Sequence, residues 1–177
     1  NERMVMVPAI LTAANLPYVG STPYVHGLLR NKHHAKLVVA AAGVATPPAV
    51  LVDGRADVDL CSLTFPAIVK PVAESSSIGI DASSIVGGPE EALVRAKRLV
   101  CDYRQPALVE TFVRGLEIEV PIVVDPEPRA LGLVTMALDG APVSGDAFLV
   151  SDAVYDDGYG FSSPPPTLES APVKAAA

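Results

Sequence analysis

The spacing of apolar residues changes several times along the chain, and each change predicts an element. Val5, Pro8, Ala9, Leu11 and Leu16 follow a helical period around residues 4–14, which predicts a short helix with Pro8 in its first turn. Residues 17–21 read as a short strand entering a turn, and 22–29 as a helix with Pro23 near its first position. Asn31 is a natural N-cap for a helix over 32–42, which Gly43 closes and Thr46-Pro47-Pro48 keeps from continuing. Residues 49–52 read as a strand. The following stretch, 53–64, is polar with an acidic excess (Asp53, Asp57, Asp59) and predicts a loop or a poorly ordered link.

Residues 65–69 form an apolar, partly β-branched run and predict a buried strand, with Lys70 at its end and Pro71 taking the chain out of the sheet. A small polar loop follows at 74–79, then a strand over 80–86. Pro89 with Glu90 and Glu91 marks a helix start, and that helix reaches about Tyr103 with Leu93, Ala96, Leu99 and Val100 on its buried side. Residues 107–112 and 131–137 predict strands, and 116–124 alternates apolar and acidic positions. From 139 onward the sequence is irregular and rich in Gly, Asp, Ser and Pro. This order predicts a small α+β unit leading into a second sheet.

Composition narrows the chemistry. With 13 basic and 20 acidic residues the net charge is -7, which argues against a nucleic-acid surface. A polyanionic small ligand would need cations gathered locally. No apolar run is long enough to span a bilayer and no secretory signal pattern is present. Cys61 and Cys101 are isolated and predict reduced thiols in a cytosolic protein. His26, His33 and His34 lack zinc-ligand spacing with them, so no metal site is assigned within these residues. The first residues, Asn1-Glu2-Arg3, and the unclosed end predict an internal portion of a longer protein.

Chemistry concentrates at 65–79. A lysine at a strand end beside the loop amides of 74–77 and the hydroxyls of Ser75, Ser76 and Ser77 can meet phosphate oxygens, with a strand, a lysine and a plain surface turn as the equal alternative. A Walker-type loop is absent, because GxxxxGK[ST] does not occur and the lysine precedes the loop. Lys32 and Lys36 lie four apart on one helix face, where a solvated stripe is the ordinary reading.

Taken in order, PYVGS at 17–21, NKHHAK at 31–36, GVATPP at 43–48, FPAIVKP at 65–71, ESSSIG at 74–79, VETFVRGLEIEV at 109–120 and DAVYDDGYGF at 152–161 resemble the ATP-grasp superfamily. Within it they are most similar to D-alanine–D-alanine ligases. The resemblance implies an incomplete α+β ATP-grasp fold. Residues 1–30 would end the N-terminal substrate-binding domain, 31–113 would form the ATP lid, and 114–177 would begin the C-terminal subdomain.

The resemblance also assigns roles. Lys32 and Lys70 would contact nucleotide phosphates, each charge contact at about 4 Å being worth roughly 4 kcal/mol before desolvation. Glu110 would accept from the adenine amino group, Thr111, Phe112 and Val113 would line the hinge beside the base, and Glu117 would bind the ribose hydroxyls. Residues 74–79 would close over the triphosphate, with Ser76 also near the first amino acid and Tyr155 bonding to it from an overlying loop. Two positions depart from the family: Ser75 stands where glycine is usual, and Val154 where D-alanine–D-alanine ligases carry lysine.

The implied cofactors are ATP and Mg²⁺, with the metal acids expected beyond this chain. The implied partners are small amino acids, D-alanine first, with a homodimer as the assembly and peptidoglycan precursor synthesis in the cytoplasm as the setting. A sibling ligase of peptide natural products and a non-catalytic nucleotide-binding module are the two alternatives.

Overall fold

Helix α4 (Pro89–Tyr103) organises the first part of the protein. Pro89 sits in its first turn with Glu90 and Glu91, Glu91 Oε2 accepts the Gly87 N–H at 2.8 Å, and left-handed Arg104 ends the helix. Ala92, Ala96 and Leu99 recur at one-turn intervals and are buried, while Leu93 and Val100 pack at the margin. The computed structural model describes residues 2–54, 58–145, 147, 148, 150 and 159–164.

The sheet under α4 contains β1 (Ala49–Val52), β2 (Ala67–Pro71), β3 (Ile85–Val86) and β4 (Ala107–Thr111) in the order β1-β4-β2-β3, every pair antiparallel. Side chains alternate across the pleat. Val52, Ala67, Val69, Ala107 and Val109 therefore join α4 in the core, and Leu51, Ile68, Lys70, Leu108 and Glu110 share the opposite face. Preceding the sheet are α1 (Met6–Ala13), α2 (Pro23–Arg30) and α3 (Lys32–Ala41). The side chains of Thr22 and Asn31 cap α2 and α3, accepting the N–H groups of Val25 and His34.

Several expectations change. Residues 17–21 form no strand. Leu60 and Leu63 are buried in the core, so the second half of 53–64 is packed rather than a loose link. Pro71 stays in the ladder opposite Ala107 instead of leading the chain out of the sheet. The reason is local: β3 pairs only Ala67 and Ile68, so that flank of β2 has no partner strand at Pro71 and needs no N–H there. The expected strand over 80–86 is mostly a 3-10 turn, Ala82–Ser84. Asp81 caps it by accepting the Ser83 N–H, and the Ser84 hydroxyl accepts the Asp81 N–H.

The chain divides into two compact units, Asn1–Val113 and Arg114–Ala177. In the second, β8 (Val134–Leu138) lies between β5 (Ile118–Glu119) and β10 (Tyr159–Ser162), and β9 (Ala141–Pro142) also pairs with it. Strands β6 (Ile122–Val124) and β7 (Pro128–Ala130) form a separate antiparallel pair. Strand β8 starts three residues later than the sequence pattern predicts, and the acidic alternation at 116–124 is broken between β5 and β6 at Val120-Pro121. Thr135, Met136, Ala137 and Val143 are the buried residues of this unit among those described, and Thr135 Oγ1 donates to the Ser162 carbonyl at 3.0 Å.

Candidate functional site

The sheet face opposite α4 carries two charges among apolar neighbours. Leu108 faces Lys70 in the β2–β4 register, and Ile68 faces Glu110, so Lys70 and Glu110 stand diagonally on one surface. Lys70 Nζ meets Glu110 Oε1 at 2.7 Å. From α3, Lys36 Nζ meets the other oxygen, Oε2, at 2.6 Å. One carboxylate thus holds two lysines from two elements. Burial pushes the Glu110 carboxyl up, but Lys70 and Lys36 outweigh it and the net shift is downward, so the group stays ionised.

Lys32, one turn before Lys36, sits over the start of the serine loop. Its Nζ donates to the carbonyl of Pro71 at 2.9 Å and to that of Glu74, and its backbone N–H donates to Val72. Burial, with the charges of Lys70 and Arg30 nearby, lowers the Lys32 pKa to about 8 against the opposing pull of Glu74 and Glu110. Arg30 donates to the Ala73 carbonyl at 2.6 Å and to Ser75 Oγ at 3.1 Å. Gln105 donates to Glu74 Oε1 at 2.8 Å and accepts the Ala73 N–H at 2.7 Å. Four cations (Arg30, Lys32, Lys36, Lys70) therefore gather around two carboxylates (Glu74, Glu110), leaving a local excess of two positive charges in a chain of net charge -7. Such a concentration suits a polyanion.

The loop itself is tightly turned. Ser76 and Ser77 are both left-handed (φ 52° and 54°), a conformation that side chains other than glycine adopt at a cost. Gly79 follows at φ +79°, where an added Cβ would lie 2.6 Å from Pro71 Cγ, so this position requires glycine. Arg95 of α4 holds the far end through the Gly79 carbonyl at 3.2 Å and Asp81 Oδ2 at 2.9 Å.

At the end of β4, the Thr111 N–H donates to Pro48 and Thr111 Oγ1 accepts the Thr64 N–H at 3.1 Å. The Phe112 N–H donates to Pro66 at 2.9 Å, so that donor is already engaged, and the adjacent Val113 is exposed. Glu117 belongs to the second unit, where its N–H donates to Val143 and its carbonyl accepts from Met136. Burial and the charges of Glu119 and Glu117 push the Tyr159 phenol up, which places both carboxylates near that ring. Tyr155 and Val154 lie outside the described residues.

Of the residues singled out in the sequence, Lys70 and Glu110 contact each other, and Lys32, Glu74 and Ser75 belong to the contacts around the start of the loop, with Ser76 and Ser77 in the adjoining turn; the charges of Lys70 and Glu110 act on Lys32 across the two groups. Lys36, Arg30, Gln105 and Arg95 were missed as members. The spacing of Lys32 and Lys36 was a usable signal for Lys36. For Gln105 the sequence offers none, since its contact depends on α4 returning the chain beside the loop.

The D-ala D-ala ligase C-terminus family model matches residues 51–158. The chain belongs to this family. Among curated relatives, the D-alanine–D-alanine ligase of Geobacter sulfurreducens is 37% identical over 164 residues, covering 92% of this chain and 48% of that protein. The uncharacterized protein y4sG of Sinorhizobium fredii is 36% identical over 137 residues, covering 77% of this chain and 39% of that protein. The chain thus spans about half the length, or less, of these relatives. The D-alanine–D-alanine ligase of Bacillus anthracis has a similar fold, with a TM-score of 0.63 at 24% identity over 92% of this chain and 51% of that one. A structure of the same enzyme complexed with ATP matches with a TM-score of 0.57 at 23% identity over 73% of this chain and 42% of that one. The fold is a mixed α+β ATP-grasp fold, as the ordered motifs imply.

Proposed function

We propose that this chain supplies nucleotide-binding elements of an ATP-dependent carboxylate–amine ligase, with D-alanine as the first candidate for both substrates. The observation carrying this reading is the cluster of Lys32, Lys36, Lys70 and Glu110, set beside the serine loop in a chain of the ligase family. Lys32 and Lys70 take the phosphates, and Ser75, Ser76 and Ser77 fold over them. Glu110, Thr111, Phe112 and Val113 border the adenine, and Glu117 takes the ribose. Because the Phe112 N–H is engaged by Pro66, that donor does not meet the base, and the backbone of Val113 is the hinge group that does.

In the reaction a carboxylate oxygen of the first amino acid attacks the γ-phosphorus and ADP leaves. The amine of the second then displaces phosphate from the acyl phosphate, forming the amide and releasing a proton. The protein's part is to orient the phosphates, neutralise their charge and exclude water from the acyl phosphate. The family reading includes Mg²⁺, but among the described residues no group of three or more His, Cys, Asp or Glu side chains could hold a metal ion. Likewise, no helix among the described residues is long and apolar enough to cross a membrane. A cytoplasmic ligase of cell-wall precursor synthesis, working as a homodimer, is the setting we infer.

Ser75, held by Arg30 where the family has glycine, favours one variant of this reading: a sibling ligase joining other amino acids. The test is a product assay on the full-length protein with ATP, Mg²⁺ and paired D- and L-amino acids. D-alanyl-D-alanine as the main product supports the first reading. A different dipeptide supports the sibling, and ATP binding without ADP release under every pair would reduce the protein to a nucleotide-binding module.

A further inference from the structure

Lys36 belongs to no substrate contact assigned above, yet it makes one of the shortest charge contacts described. Its ammonium meets Glu110 Oε2 at 2.6 Å, with the two side chains only 17% and 13% exposed. Lys70 holds the other oxygen at 2.7 Å from a different element. A carboxylate has about four lone-pair sites, and two lysines occupy one on each oxygen. A carboxylate held by Lys70 alone can rotate and accept both bonds from it, whereas anchors on both oxygens fix the plane of the group and leave a defined remaining acceptor direction.

We infer that Lys36 is a positioning residue that acts through Glu110, fixing its carboxylate so that the protein selects nucleotides bearing an exocyclic amino group on the base. This rests on the proposed reading of Glu110 as the adenine acceptor. The charged groups facing Glu110 are Lys36 and Lys32 from α3 and Lys70 from β2. Without Lys36, the trio of Lys36, Lys70 and Glu110 loses its net positive charge and Glu110 closes onto Lys70. The acceptor direction and part of the field on the phosphates change together, so the test must separate them.

The experiment measures the dissociation constants of ATP and of inosine triphosphate, which carries a carbonyl in place of the 6-amino group, for the wild-type protein, Lys36→Met and Lys36→Arg. A hydrogen bond to a charged acceptor is worth about 1.5–3 kcal/mol, so the wild type should prefer ATP by roughly 10- to 150-fold. In Lys36→Met the preference should fall to within about threefold, mainly through weaker ATP binding, and Lys36→Arg should restore most of it. If Lys36→Met weakens both nucleotides by the same factor, or neither, the positioning role is wrong although Glu110 can still be the acceptor. If the wild type itself binds both equally, the Glu110 reading fails and the inference falls with it. Far-UV ellipticity of each variant confirms folding, and should Lys36→Met unfold, the polar but uncharged Lys36→Gln takes its place with the same expected and refuting outcomes.

Discussion

Glu110→Gln removes the carboxylate that Lys36 and Lys70 share. The substitution keeps shape and volume but leaves the ammoniums of Lys36 and Lys70 without their counter-charge on a largely buried surface. Breaking a fully buried ion pair from one side costs about 3–5 kcal/mol. The side chains here keep 13–18% of their exposure, and solvent screening reduces the expected loss to about 2 kcal/mol. All four α-helices among the described residues lie in the first unit, so far-UV ellipticity in a urea titration reports on the unit that contains Glu110. With a slope of about 2 kcal/mol per molar, the midpoint should fall by about 1 M at neutral pH.

The pH dependence supplies a second, independent check. The Glu110 pKa is lower in the folded protein than its ordinary value of 4.5, so the folded state binds fewer protons than the unfolded one in the interval between them. Its contribution is complete above 4.5 and is lost as pH falls through the folded value. The gap between wild type and Glu110→Gln should therefore shrink steadily in acid. A gap below about 0.5 kcal/mol at neutral pH would show that the shared carboxylate does not stabilise the fold. So would a gap that stays constant from neutral pH into acid.

Two further outcomes follow from the same geometry. Gly79→Ala places a Cβ 2.6 Å from the Pro71 ring at a left-handed backbone position, and should destabilise the first unit by about 1–3 kcal/mol in the same titration; a change within 0.5 kcal/mol would remove the close approach from the account. For Lys32, whose pKa of about 8 lies below the ordinary 10.5, the free protein loses this charge as pH rises through 8, while bound phosphate favours the protonated form. The dissociation constant of ATP should then rise by up to about tenfold per pH unit above 8, and a flat profile from pH 7 to 10 would exclude Lys32 from the phosphate site.

Much of the first unit was legible because its local signals agree with one another. Asn31, Pro23, Pro89 and the acidic pair after it mark helix starts that the structure keeps, and the apolar spacing in α4 identified Ala96 and Leu99 as core residues. The misreadings occur where tertiary context overrides local chemistry. Pro71 reads as a strand terminator, yet the short reach of β3 leaves a flank on which proline does no harm. Residues 80–86 look β-branched at both ends, but the Asp81–Ser83–Ser84 hydrogen bonds make a turn of the middle.

The candidate site divides the same way. Lys70, Glu110 and the serine loop were found from ordered motifs, because the residues on each strand are fixed in sequence. Lys36 was passed over because an exposed helix stripe and a buried counter-ion look identical until α3 is placed over β4. Arg30 and Gln105 grip the loop from positions 43 and 32 residues away from Ala73, a distance over which sequence pattern carries no signal.

The proposed site stands or falls on Lys70 holding nucleotide phosphate from β2. Isothermal titration of ATP into wild type and Lys70→Ala tests it most directly, with urea titration as the control for folding, since Lys36 remains to pair with Glu110 in the variant. Loss of one charge-assisted contact predicts an affinity lower by about 10- to 150-fold. An unchanged dissociation constant in a folded Lys70→Ala protein would remove Lys70 from the phosphate site.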